Sequence, residues 1–197
     1  MDRKQIEAAA AANHYLRGLL AVPFGLLLIV SGLGNMGWGP FRDLWVVPVC
    51  VSLAGLGYLL LTLSYNDRYG RVTLKARAHM LAGTVVAMAV LIGVPVLVQV
   101  LDLPVNGFGL AWGAVALAYY AVTVGLRPHH VAIWGAVVAA SLVPLWGDPR
   151  TTNSPNAGLI IVGVAAMATG ILDHRLLVRT FGPPSDGVDV EHSNAGA

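Results

Sequence analysis

The fold class that this sequence predicts is an all-α integral membrane protein, a six-transmembrane-helix bundle made of three helical hairpins with both termini cytoplasmic. Three observations point there. Of the 197 residues, 56% are hydrophobic and only 11% are charged, against about 25% charged in a soluble domain; disordered chains have the opposite balance. Six apolar runs approach the roughly 20 residues that a helix needs to cross a bilayer. The alternating segments of about 10 residues that would mark a transmembrane barrel are missing, and a helix satisfies its own backbone in lipid.

The elements follow in chain order. Residues 1–17, with the alanine run Ala8 to Ala12, are good helix formers and are expected to extend the first helix into the cytoplasm. The six spans are placed at 18–33, 44–63, 81–101, 108–126, 131–146 and 158–178, within a membrane domain of 18–181. The first, preceded by a basic segment and followed by further spans, reads as a retained anchor rather than a cleaved signal. The fifth is short and borrows Pro128 to His130 at its flank. The sixth is expected to leave the apolar layer after Leu172, so that Asp173, His174 and Arg175 emerge at the surface. The tail, 182–197, opens Gly-Pro-Pro, is rich in Ser, Asp, Gly and Asn, and is expected to be disordered.

Orientation comes from the basic residues. Arg3, Lys4, Arg17, Arg68, Arg71, Lys75, Arg77, Arg127, Arg175 and Arg179 fall on one side, and only Arg42 and Arg150 on the other. The positive-inside rule makes the first side cytoplasmic, as in a plasma-membrane protein with N-in and C-in topology. Trp38, Trp45, Trp112 and Trp146 then fall at outer span ends, as an aromatic belt would.

Between helices in lipid, small residues permit close backbone approach. Gly109 and Gly113 form a GxxxG, and Ala89 with Gly93 forms a similar pair; these are the expected helix-packing residues. Pro95 lies inside the third span and marks a possible kink. The hydroxyls of Ser31, Ser52, Thr62, Thr84, Thr123, Ser141 and Thr169 can bond back to their own helices.

Catalytic chemistry is not expected. No intramembrane serine–histidine pair, no His-Glu-x-x-His and no phosphate-binding glycine loop occurs, and no motif carries a family resemblance. Ionisable residues deep in the spans, which mark ion pathways, are also missing. The histidines His14, His79, His129, His130, His174 and His192 all fall on the inner side. Neighbours on a helix point about 100 degrees apart, so His129 and His130 are not expected to share an ion, and neither metal nor cofactor is expected.

What stands out is an inner-face cluster: Asp67, Arg68 and Arg71 after the second span, and Asp173, His174 and Arg175 at the end of the sixth. Anionic headgroups of the inner leaflet account for the arginines but repel the carboxylates, so cross-helix ion pairs are expected, Asp173 with Arg68 or Asp67 with Arg175. The function this suggests is a non-catalytic membrane subunit or accessory protein of a transport or envelope complex. It would dock a partner such as an ATPase subunit through its cytoplasmic face, with lipid as the other contact and no role for nucleic acid. The alternative is a small-solute transporter, or a substrate-binding membrane subunit, with a cavity between kinked helices.

Overall fold

The computed structural model describes residues 17–43, 45–69, 77–123, 125–143 and 153–181. Among them every regular element is helical. A 3₁₀ turn at Gly18–Leu20 leads into α1 (Ala21–Asn35), and a second turn at Gly39–Arg42 precedes α2 (Val46–Tyr69). Then come α3 (Arg77–Val100), α4 (Gly107–Thr123), α5 (Pro128–Leu142) and α6 (Asn153–Phe181). Among the described residues, four stretches are long and apolar enough to cross a membrane: Gly18–Asn35, Val46–Asn66, Leu81–Val100 and Pro155–Arg179. The other two apolar helices are shorter, at 17 residues in α4 and 15 in α5. Such a set of helices belongs to a helical membrane protein. The expected extension over 1–16 and the tail over 182–197 lie outside the described residues.

The element bounds differ from the hydropathy reading in an informative way. α5 begins at Pro128, the flank that the fifth span was expected to borrow, and ends at Leu142. Proline suits the first helical position, where its missing N–H would be unbonded anyway. Gly125, at φ +81°, takes a left-handed conformation that a side chain would disfavour, and it turns the chain sharply between α4 and α5. α6 does not give way after Leu172 but continues to Phe181. Asp173 therefore does not emerge at the surface as expected; only 1% of it is exposed, and Leu177 beyond it is fully buried.

α1 and α6 form the closest pair, and they do so through glycine. A Cβ added at Gly25 would fall 2.6 Å from the Gly163 carbonyl oxygen, and one at Gly163 would fall 2.5 Å from that of Gly25. Gly18 opposes Gly170 in the same manner, and Gly32 meets the carbonyl of Asn156 and the side chain of Ile160. Gly18, Gly25 and Gly32 recur every seven residues while their partners descend by seven, so the helices run antiparallel in a heptad register. A seven-residue repeat keeps one seam of a helix against its partner, and glycine lets the backbones touch there.

α4 and α5 complete the centre. Trp134 and Val137 of α5 pack with Val162, Ala165 and Ala166 of α6, with Phe108, Trp112 and Tyr120 of α4 around them. Trp112 also meets Phe24 of α1, the ring centroids 5.5 Å apart and the planes tilted by 45°, so it packs within the bundle. Trp38 and Trp45 remain 67% and 62% exposed, as belt residues would. α2 packs on α1, and α3 on α4. Both flanking helices turn long apolar faces outward, including Leu53, Leu60, Val85, Ile92 and Val100, which suits lipid and not water.

Candidate functional site

Polar side chains collect at two ends of the bundle. At one end Asn106 caps α4, its Oδ1 accepting from the Gly109 amide at 2.9 Å, which satisfies a donor that the helix start leaves open. The Asn106 amide donates to the Ser141 carbonyl at 2.8 Å, and Asn35 Nδ2 donates to Asn156 Oδ1 at 3.2 Å. These bonds tie the start of α4 to α5, and α1 to α6.

The opposite end is different. Asp173 of α6 receives two histidines from the start of α5: His130 Nε2 lies 2.9 Å and His129 Nε2 3.0 Å from the same atom, Oδ1. His130 is fully buried, and its ring stacks on Tyr120 of α4 at 3.8 Å and 20°. The His130 Nδ1 faces the Arg127 amide at 3.5 Å, so in this arrangement Nε2 carries the proton and donates to Asp173. The expectation that adjacent rings diverge is thus corrected. Two residues 100° apart on the helix can still converge at their tips, because each imidazole carries its Nε2 well beyond Cβ and Asp173 stands between them on the neighbouring helix. The rings end up 4.1 Å apart at 61°.

A second branch runs from the next residue. His174 Nδ1 and the Tyr65 hydroxyl share a hydrogen bond of 2.8 Å. The Arg17 guanidinium sits 5.8 Å over the Tyr65 ring and donates from Nη1 to Asn66 Oδ1 at 2.8 Å. Asp173 and His174, neighbours in sequence, therefore tie α6 to α5 on one side and to α2 and the chain leading into α1 on the other.

Beside the histidines an open cleft of about 460 Å³ is lined by Arg127, Pro128, His129, Leu172, Arg175, Leu176 and Arg179. Three arginines line it, with no carboxylate among the described lining residues, and the Arg127 Nη1 is buried with no hydrogen-bond partner among the described residues. The side chain of His129, 24% exposed, connects this cleft with the buried Asp173 carboxylate.

Of the residues singled out in the sequence, Asp173 and His174 belong to the polar network and Arg175 to the cleft. The side chains of Asp67 and Arg68, and all of Arg71, lie outside the described residues, and with them the expected pairs Asp173–Arg68 and Asp67–Arg175. Asp173 is met by His129 and His130 of α5 rather than by the arginines expected as its ion-pair partners. The adjacent pair after Pro128, at a helix start facing the end of α6, was the available signal. Gly109 and Gly113 pack on α5, against Ser141 and Val138 respectively. Ala89 and Gly93 lie on the outer side of α3, and a Cβ at Gly93 would meet nothing within 4 Å. Pro95 lies inside α3, which continues past it to Val100, and its Cα packs where a Cβ of Gly107 would stand, at 2.9 Å. The hydroxyls of Ser52, Thr62, Thr123 and Ser141 donate to carbonyls four residues back.

No protein-family model matches this chain, no curated protein matches its sequence, and no solved structure matches its fold.

Proposed function

We propose that this chain is a non-catalytic, six-span plasma-membrane protein, three hairpins with both termini in the cytoplasm, that docks an acidic partner through the inner ends of α5 and α6. One observation carries the reading: Arg127, Arg175 and Arg179 face a common open cleft. Guanidinium groups bind carboxylates and phosphates in fixed, bidentate geometry, and a cluster of like charges is held apart at some cost unless an anion joins it. The buried Asp173–histidine bonds fix the helix ends from which two of these arginines project. A partner such as the ATPase subunit of a transport or envelope complex would supply the acidic segment, and anionic headgroups of the inner leaflet would compete for the same arginines. Small-solute transport draws less support, since the described polar clusters gather at helix ends rather than midway along the spans.

The test is charge reversal. The full chain, recovered from its own membrane in mild detergent, is expected to retain a specific protein partner that is lost in Arg175→Glu/Arg179→Glu. Retention should fall steeply with salt, because exposed charge pairs are screened. Equal retention by the double variant and its parent would refute docking at this cleft.

A further inference from the structure

We propose that His129, His130 and Asp173 form a binding site for a divalent transition metal of the zinc type. The proposal stands apart from partner docking, since it rests on the buried trio and not on the arginines. The donor set is two imidazole nitrogens and one carboxylate oxygen, a combination suited to zinc and its neighbours. One ligand atom from each residue lies within 4.8 Å of the others. Ligand atoms bound at about 2.0–2.1 Å around a tetrahedral zinc stand about 3.3 Å from one another. To admit an ion, the nitrogen-to-oxygen separations of 2.9 and 3.0 Å need to open by a few tenths of an ångström, and the two imidazole nitrogens, which lie within 4.8 Å of each other, need to stand about 3.3 Å apart.

Three further features suit a metal. The site is already ordered: the Tyr120 ring stacks on His130 and holds it, and Asp173 is only 1% exposed. Two imidazoles direct Nε2 at one oxygen of a buried carboxylate, which neutral rings satisfy only with dipoles and a cation would neutralise. Access also exists, because His129 is the partly exposed member and lines the open cleft. Three protein ligands leave a fourth position for water or an anion, as in open zinc sites. Coordination by His130 through Nε2 moves its ring proton to Nδ1, the atom that accepts from the Arg127 amide at 3.5 Å, so the ring or that amide must shift to bring Nδ1–H to an acceptor, as metal-bound histidines require.

The experiment uses the full chain purified through a tag without histidine, stripped with a chelator, and titrated with Zn²⁺ alone in competition with a colorimetric chelator. Co²⁺ serves as a spectroscopic probe of four-coordinate N/O ligation. One ion per chain is expected at the site, with visible Co²⁺ bands. His129→Ala should weaken binding by at least about tenfold, the lower bound for losing even an outer partner of a metal ligand, and Asp173→Asn should do likewise. Arg175→Ala should bind as the parent does. Should Asp173→Asn fail to fold, His129→Ala decides, because it leaves the His130–Asp173 bond in place. A parent protein that takes up neither ion, or whose binding survives His129→Ala unchanged, would show a hydrogen-bonded cluster only and overturn the proposal.

Discussion

Asp173 is a carboxylate enclosed within α6, which continues past it to Phe181, and such a group is tolerated only when its hydrogen-bonding capacity is met. His129 and His130 meet it, so the group should be costly to remove and its neighbours cheap. Asp173→Ala leaves the fully buried His130 without its partner, and a buried donor left unsatisfied costs about 1–3 kcal/mol. Arg175 is exposed, and Arg175→Ala is expected to change stability by less than about 0.5 kcal/mol. Thermal unfolding in one detergent checks both; equal shifts for the two variants would mean that the carboxylate is no hub. Because Asp173 and His130 share one bond, Asp173→Ala/His130→Ala should destabilise by less than the sum of the single changes. The carboxylate could be picked out in the sequence because anionic headgroups do not explain it. Its partners could not, since the choice between arginine and histidine depends on which helix packs opposite, and hydropathy carries no information about neighbours.

At the scale of elements, the six helices were legible because every span must hide its backbone from lipid and so advertises itself as an apolar run. Their pairing was less so. The search for small residues four apart found Gly109 and Gly113, which do meet α5, but it also selected Ala89 and Gly93 on an outward face. It passed over Gly18, Gly25 and Gly32 opposite Gly170, Gly163 and Asn156, whose spacing is seven and whose matching half lies far away in sequence. In a chain with 23 glycines, spacing alone cannot separate a seam from chance; the close approach of the carbonyls can. A prediction separates them again. Gly163→Ala places a methyl 2.5 Å from the Gly25 carbonyl oxygen, so the backbones must part, at about 1–3 kcal/mol as for other overpacked sites. Gly93→Ala meets nothing within 4 Å and removes a flexible residue from a helix, so it is expected to be neutral or to stabilise by up to about 1 kcal/mol. Equal destabilisation by the two changes in a detergent melt would count against the seam between α1 and α6.

For the whole molecule, the decisive question is which end faces the cytoplasm, because the arginine cleft and the Asp173–histidine trio share one end and the asparagine cluster occupies the other. The positive-inside rule, applied to the lysines and arginines, predicts that Arg17, Arg127, Arg175 and Arg179 lie inside, because translocating such segments is disfavoured. The antiparallel seam between α1 and α6 places Gly18 with Gly170 at one end and Gly32 with Asn156 at the other, so on the proposed orientation the first pair is inner and the second outer. One residue at each end is enough to test the arrangement. In a background where Cys50, the single native cysteine, is replaced by alanine, a cysteine at Asn153, the first residue of α6, should react in intact cells with a reagent that cannot cross the membrane. A cysteine at Arg179, in the last turn of the same helix, should react only after lysis. Since 26 residues at 1.5 Å each carry α6 about 39 Å between these sites, more than the roughly 30 Å of a bilayer core, a spanning helix must give opposite results. The reverse pattern would place the basic cleft outside and refute docking to a cytoplasmic partner, and equal labelling at both sites would mean that α6 does not cross.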